Sequence, residues 1–271
     1  NNSTATTNLQ VNVPVSSGGL RGVPFPGLWL TDPSTNGPSG NQKVAGNVFL
    51  NNCSGTANLN TNSVDPSTGQ AWQVLHPPLQ MPSLPAEPAG IRQIAGNIDQ
   101  TLPDLARGDT LSTVGTQQVY AYKISGSLDK AKITVPVGQK VYIWLAGNIE
   151  KNSEIIHDCG TNSSCKPTDV QVYASGSAIA SPTVPSMCLN GNRELNAFIL
   201  APSYAIGVDG GSAFKGSLWA KSWGVQSCTS NSNHTVVVQT GNWADLAVVL
   251  PASTLPPKLD QITSWQRGAN Q

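Results

Sequence analysis

Residues 195–224 read LNAFILAPSYAIGVDGGSAFKGSLWAKSWG and hold the same short pattern twice. Asn196-Ala197-Phe198-Ile199-Leu200-Ala201-Pro202-Ser203 aligns with Lys215-Gly216-Ser217-Leu218-Trp219-Ala220-Lys221-Ser222, so that the apolar run, the Ala and the Ser recur at a spacing of 19. A period near 20 with one apolar strand in each copy is what one turn of a stacked β-solenoid requires. No single turn buries its apolar face alone, so each needs a neighbour above and below.

A second phrase recurs along the chain. Val44-Ala45-Gly46-Asn47-Val48 returns as Ile94-Ala95-Gly96-Asn97-Ile98 and as Leu145-Ala146-Gly147-Asn148-Ile149. Gly-Asn between aliphatic residues suits a tight corner, since Gly accepts positive φ and Asn bonds its own backbone. Gly46, Asn47, Gly96, Asn97, Gly147 and Asn148 are therefore expected to form structural turns. Ile124-Ser125-Gly126-Ser127-Leu128 and Ala174-Ser175-Gly176-Ser177-Ala178 look like the same corner with Ser for Asn. The alternative is hairpin turns in an antiparallel β-sandwich, where the same dipeptide is common.

Composition agrees with an all-β chain. Of 271 residues only 11% are charged and the formal net charge is zero, which leaves no electrostatic footprint for nucleic acid. Long surface helices normally carry many charges on their wet face, and this chain does not have them. No apolar run reaches about 18 residues, so no membrane span is expected. Residues 1–8 are polar and lack the basic, apolar and small-residue order of a leader, as expected of a mature chain or a trimmed fragment.

The chain divides on its prolines. Residues 75–90 include LHPPLQMPSLPAEP and read as an extended, polyproline-like spacer crossing the surface. Residues 1–74 form a β-rich segment belonging to the same solenoid, with an edge strand over residues 9–15. Residues 91–250 are the main solenoid domain, with short strands such as QVYAYK, AKITVP and VYIWL. Residues 251–271 are a cap or tail, and Pro256 to Trp265 can form one short helix with Leu259, Ile262 and Trp265 on one side.

The cysteines number five, and none stands in a CxxC pair. In an Asn/Ser/Thr-rich, charge-poor chain they indicate disulfides and an oxidising compartment. Cys159 is expected to pair with Cys165 across a small polar insertion, and Cys188 with Cys228 across a longer loop. Cys53 is left over. Histidines at 76, 157 and 234 complete no zinc pattern, so no metal site and no cofactor are expected.

The phrase at 195–224, the VYIWLAGNI run at 141–149 and the proline-rich LQMPSLPAEP together resemble the C-terminal domain of PilX-like proteins of bacterial type IV pilus assembly. Cyanobacterial relatives in that family are linked to secretion of surface polysaccharide. The resemblance spans about residues 75–250 and rests on a G-x-Φ-Φ-A-P-like line followed by F-x-G-S-Φ-x-[AG]-K, where Φ is apolar. It departs in the cysteines, in the 159–165 insertion and in the family's hydrophobic N-terminal helix. It implies a non-enzymatic, extracellular structural or adhesive module, with other pilus or cell-surface proteins, or a polysaccharide, as partners.

The competing class is a carbohydrate-active β-helix enzyme, which needs paired carboxylates, or a carboxylate with a cation, on one groove. The acidic residues are scattered singly. Asp158, beside His157, and Asp209 are the best candidates, and a turn aspartate explains both. No catalytic residue is therefore expected. Trp219 and Trp223, four apart, are the candidates for stacking on sugar rings in a binding module, while core packing is the favoured role for most of the tryptophans. Sequons begin at Asn2, Asn52, Asn162 and Asn233.

Overall fold

The computed structural model describes residues 9–12, 15–16, 25–32, 42–51, 69–75, 80–190, 194–209, 214–225, 228, 235–240, 246, 258–259 and 264–267. The chain forms two compact units, Phe25–Leu250 and the pairing of Asn1–Pro24 with Pro251–Gln271.

The first strands are β1 (Leu9–Asn12), β2 (Val15–Ser16), β3 (Pro26–Leu30), β4 (Lys43–Ala45), β5 (Asn47–Leu50) and β6 (Val74–Leu75). After the proline-rich connector come β7 (Arg92–Gln93), β8 (Gln100–Thr101), β9 (Ser112–Val114), β10 (Gln117–Ile124), β11 (Lys132–Thr134), β12 (Val141–Leu145) and β13 (Glu154–Ile156). Then follow β14 (Val170–Ala174), β15 (Ser186–Asn190), β16 (Leu195–Asp209), β17 (Phe214–Trp223), β18 (Thr235–Val238), β19 (Lys258–Leu259) and β20 (Ser264–Arg267). Helix among the described residues is confined to short 3-10 turns and a single helical position at Leu246.

The protein is all-β. In the larger unit the main sheet runs β6-β5-β3-β17-β16-β14-β12-β10-β7, and each neighbouring pair is parallel. A parallel sheet of this extent overturns the antiparallel sandwich. β12 shows why the strands read as continuous apolar runs: all five residues of VYIWL are buried. Val141, Ile143 and Leu145 face the main core, whereas Tyr142 and Trp144 lie on the other face of the strand.

Two further strand columns complete the middle layers. β8, β11 and β13 form a second parallel sheet. Between the sheets, Leu128 bridges Ile149, Ile149 bridges Met187, and β15 continues this column onto the second half of β16. The aliphatic side chains of all three columns converge on one core.

The corners explain the recurring glycines, by a different cause from the one expected. Gly46, Gly96 and Gly147 do not have positive φ. At Gly147 an added Cβ would lie 2.5 Å from the backbone of Gly126 in the adjacent layer, and at Gly96 it would lie 2.1 Å from the Ser127 carbonyl oxygen. Gly96 and Gly147 need glycine because the neighbouring backbone passes too close for a side chain, whereas at Gly46 an added Cβ would lie 2.7 Å from the Cβ of Gln239. The asparagines then tie layers together: Asn148 Oδ1 accepts from the Ser186 N–H at 2.9 Å, and Asn47 donates to Phe25 O while accepting from Gln73 N. Asn97 is exposed in the layer of β7, the last strand of the main sheet.

The order of layers departs from the order of the chain. The strand at one end of the main sheet is β6 and at the other is β7, although they are consecutive in sequence. Eight steps of about 4.8 Å separate them by about 38 Å. The connector joins them; in the polyproline conformation at about 3.1 Å per residue its length covers that distance. The N-terminal segment belongs to the same sheet, because β3 pairs with β17 as well as β5.

One layer is built from two remote pieces of chain. β18 lies between β17 and β4, while β3 lies between β17 and β5. Gln239 fills the junction: its N–H donates to Ala45 O, and its side-chain oxygen accepts the Asn47 N–H at 2.7 Å.

In the smaller unit β1 pairs antiparallel with β20, and β2 with β19. The short helix expected at 256–265 is corrected: Lys258–Leu259 and Ser264–Arg267 are strands. Pairing with residues near the amino end outweighs the local helical spacing of Leu259, Ile262 and Trp265. Cys53 lies outside the described residues, as do Asn2, Asn52, Asn233, His76 and His234.

Candidate functional site

Cys159 is bonded to Cys165 and Cys188 to Cys228. The first bond closes the polar loop after β13. The second joins β15 to the segment beyond β17 and is buried with Val225, with Ala205 packed against it.

The tryptophans proposed for sugar stacking are otherwise employed. Trp219 is fully buried, and its indole N–H is hydrogen-bonded to Pro26 O and Ser217 Oγ, each at 3.1 Å. It therefore presents no face to a sugar. Trp223 is half-buried against the core and donates to Gln42 Oε1. The two aspartates weighed for catalysis are also accounted for: Asp158 accepts the Gly160 N–H in a turn, and Asp209 pairs with Lys151 at 3.2 Å.

The outer face of the main sheet carries an aromatic column. Trp144, Tyr173, Phe198, Trp219, Trp29 and Phe49 follow one another with ring centroids 4.9 to 6.5 Å apart. Trp144 and Tyr173 are register partners, as are Trp219, Trp29 and Phe49, each one strand spacing from the next, whereas Phe198 stands opposite Gln171 and Ser217 and meets Tyr173 and Trp219 diagonally on the same face. The connector crosses the end of the column. Trp144 Nε1–H donates to Pro85 O at 3.1 Å, and Lys123 pairs with Glu87 at 2.7 Å. Pro82 is buried, as a polyproline segment seated on a surface requires.

Phenols inside the fold hold their protons. Burial pushes Tyr122 and Tyr204 up to about 12 and raises Tyr142 and Tyr173 further above the usual value. Tyr142 accepts from Gln171 Nε2, and Tyr173 donates to Gln171 Oε1, so one amide serves both hydroxyls.

A cleft of about 610 Å³ opens at the β7 end between residues 92 and 107. Ile98 and Leu105 on its rim are largely exposed. Beneath it, Asp109 accepts from Arg92, from the Tyr122 hydroxyl and from the Asp104 N–H. This carboxylate holds the loop over the last layer, with every partner pointed at it. It is a structural arrangement, since its two oxygens are both engaged.

Among the described residues, reactive groups also come together after β13. His157 is fully buried beside the Cys159–Cys165 bond, with Nε2 3.3 Å from Cys165 Sγ. Its nitrogen and the two sulfurs all lie within 4.8 Å of one another. Sequence reasoning missed this group because the histidine was weighed against distant histidines. The local spacing His157-x-Cys159-x5-Cys165 was the available signal. Comparison with family models, with curated proteins and with solved structures finds no match for this chain.

Proposed function

We propose that this chain is a non-catalytic structural or adhesive module, a β-solenoid working outside the cytoplasm in a type IV pilus or surface-polysaccharide secretion apparatus. The observation that carries the reading is the continuous parallel stack strapped by its own connector, a design that gives a stiff surface. Two disulfides support an oxidising compartment. No described helix is long and apolar enough to cross a membrane.

The carboxylates support a scaffold role. Asp109, Glu87, Glu154, Asp209 and Glu194 are each committed to a Lys or Arg. Glycoside chemistry needs two carboxyl groups about 5 to 10 Å apart and free to exchange protons with substrate. Partners in this reading are other pilus or cell-surface proteins, or a polysaccharide held on the stack's surface.

The test has two arms. Immunolabelling and shearing of producing cells should place the protein in the extracellular or pilus fraction. Incubation with acidic and neutral polysaccharides should yield no new reducing ends and no unsaturated products. A cytosolic location would overturn the compartment, and product formation abolished by one carboxylate substitution would overturn the class.

A further inference from the structure

His157 follows β13 and bridges Leu195 in the parallel direction. Its ring is oriented by Asn196. Nδ1 lies 2.6 Å from the Asn196 main-chain oxygen, and a carbonyl can only accept. Nδ1 therefore carries a proton, and in the neutral ring Nε2 presents a lone pair. The backbone is locked as well: Asn196 N and Nδ2 both donate to His157 O, at 2.8 and 2.9 Å.

That lone pair faces sulfur. A histidine that ligates a metal almost always donates its other ring N–H to a carbonyl, carboxylate or water, which fixes the tautomer. His157 is already arranged in this way, with two cysteine sulfurs in front of it. With bonds of about 2.3 Å to sulfur and about 2.0 Å to nitrogen, a tetrahedral zinc centre has S···N edges of roughly 3.6 Å and an S···S edge of roughly 3.8 Å. The Nε2 to Cys165 Sγ distance is 3.3 Å, and the two Cα atoms are 5.4 Å apart. Only the sulfurs have to separate, by side-chain rotation. Cys159 is half-buried and residues 160–164 of the loop are exposed, so a reductant and a cation can reach the bond, whereas Cys188 and Cys228 are buried in an apolar cluster.

We propose that in the reduced protein His157 Nε2, Cys159 Sγ and Cys165 Sγ hold a divalent cation of the zinc class, with solvent at the fourth position. The loop then has two covalent states, disulfide-closed and metal-closed. An external dithiol supplies the two electrons and becomes a disulfide itself, while Cys159 and Cys165 become thiols. Cation binding releases the two thiol protons to solvent, because thiolates are the ligands. The proposal is independent of the pilus reading.

Cobalt(II) is the probe. The full chain is treated with dithiothreitol under native conditions, which opens the half-buried bond ahead of Cys188–Cys228, and peptide mapping verifies which thiols are free. After anaerobic removal of reductant, titration should give thiolate-to-cobalt charge-transfer absorption and tetrahedral d–d bands that saturate at one equivalent. The oxidised chain should show neither. Cys159→Ser/Cys165→Ser should abolish both. His157→Gln should weaken binding at least tenfold, since losing even an outer-shell partner costs roughly 10- to 100-fold. A reduced chain that keeps its far-ultraviolet spectrum and takes up no cobalt overturns the site. A charge-transfer band that survives the double serine variant does so equally, and unchanged affinity in His157→Gln removes the imidazole from it. If His157→Gln does not fold, the serine pair, placed on an exposed loop, decides the matter.

Discussion

The side-chain oxygen of Gln239 accepts the main-chain N–H of Asn47 at 2.7 Å, standing where a backbone carbonyl of the adjacent layer stands elsewhere in the sheet. The two residues are 192 positions apart. Their bond closes a layer made from two pieces of chain, where β18 ends and β3 begins. Gly27 and Gly46 flank the same side chain, each leaving no room for a Cβ beside Gln239 Cβ.

Gln239→Ala should therefore destabilise the larger unit more than a half-buried glutamine normally would. The Asn47 N–H loses its acceptor inside the stack, a loss of about 1–3 kcal/mol. Urea unfolding followed by far-ultraviolet dichroism measures it. A midpoint unchanged from the parent chain would show that the junction does not depend on this side chain.

Gly147→Ala and Gly126→Ala form a matched pair. A Cβ at Gly147 would press on the backbone of Gly126, whereas a Cβ at Gly126 meets nothing within 4 Å. Neither residue has positive φ. We expect Gly147→Ala to cost about 1–3 kcal/mol or more by overpacking, and Gly126→Ala to be neutral or slightly stabilising. Equal effects in the two variants would contradict the stacking of these corners.

Trp144 carries two separable contributions. Trp144→Phe keeps a smaller aromatic ring but removes the hydrogen bond to Pro85 and the rest of the indole, and should cost about 1–3 kcal/mol. Trp144→Ala also opens a cavity against Tyr173 and should cost about 3–5 kcal/mol. Proteolysis within the connector should accelerate in both variants, because Pro85 is held by this indole. Cleavage rates identical to those of the parent chain would separate the connector from the aromatic column.

Alkaline pH should unfold the protein through its tyrosines. Tyr122 and Tyr204 are pushed up to about 12 from a usual value of 10.0, chiefly by burial, and Tyr142 and Tyr173 are raised as well. Below pH 10 both folded and unfolded states are protonated, and the stabilisation is fully present. Between about 10 and 12 the unfolded state releases protons that the folded state retains, so stability falls as pH rises through this window. Tyrosinate absorbance from these four residues should develop together with loss of the β signal. Their reversible ionisation at pH 11 with the sheet intact is the contrary result.

The two disulfides should differ in worth. Closing 6 residues restricts the unfolded chain less than closing 40, by the loop-entropy argument about 2 against about 4 kcal/mol. Cys159→Ser/Cys165→Ser should accordingly lower the thermal midpoint less than Cys188→Ala/Cys228→Ala, as scanning calorimetry under non-reducing conditions would record. The reverse order would mean that the polar loop, rather than the β15 clasp, limits stability.

What the sequence determined by itself is local and periodic. Apolar runs such as VYIWL are buried on both faces because their residues leave no polar side to face water, and the repeated Ala-Gly-Asn phrase marks corners because a corner needs a small residue and an amide at adjacent positions. The cysteine pairs are expected from the short polar loop at 159–165 and from a clasp between the doubled pattern and the strand that follows it, and the structure has both bonds. Tertiary structure alone decided which layer stacks on which. The preference of β3 for β17, the return of the connector from β6 to β7 and the filling of the junction by Gln239 depend on faces of remote segments meeting, and periodicity carries no record of that. The same cause buried Trp219, which an exposed reading had offered to a sugar, turned residues near 258 and 264 from helix to strand, and set the Nε2 lone pair of His157 against a disulfide. Side-chain spacing along one strand tells which face a residue takes; only the neighbouring layer tells what it meets there.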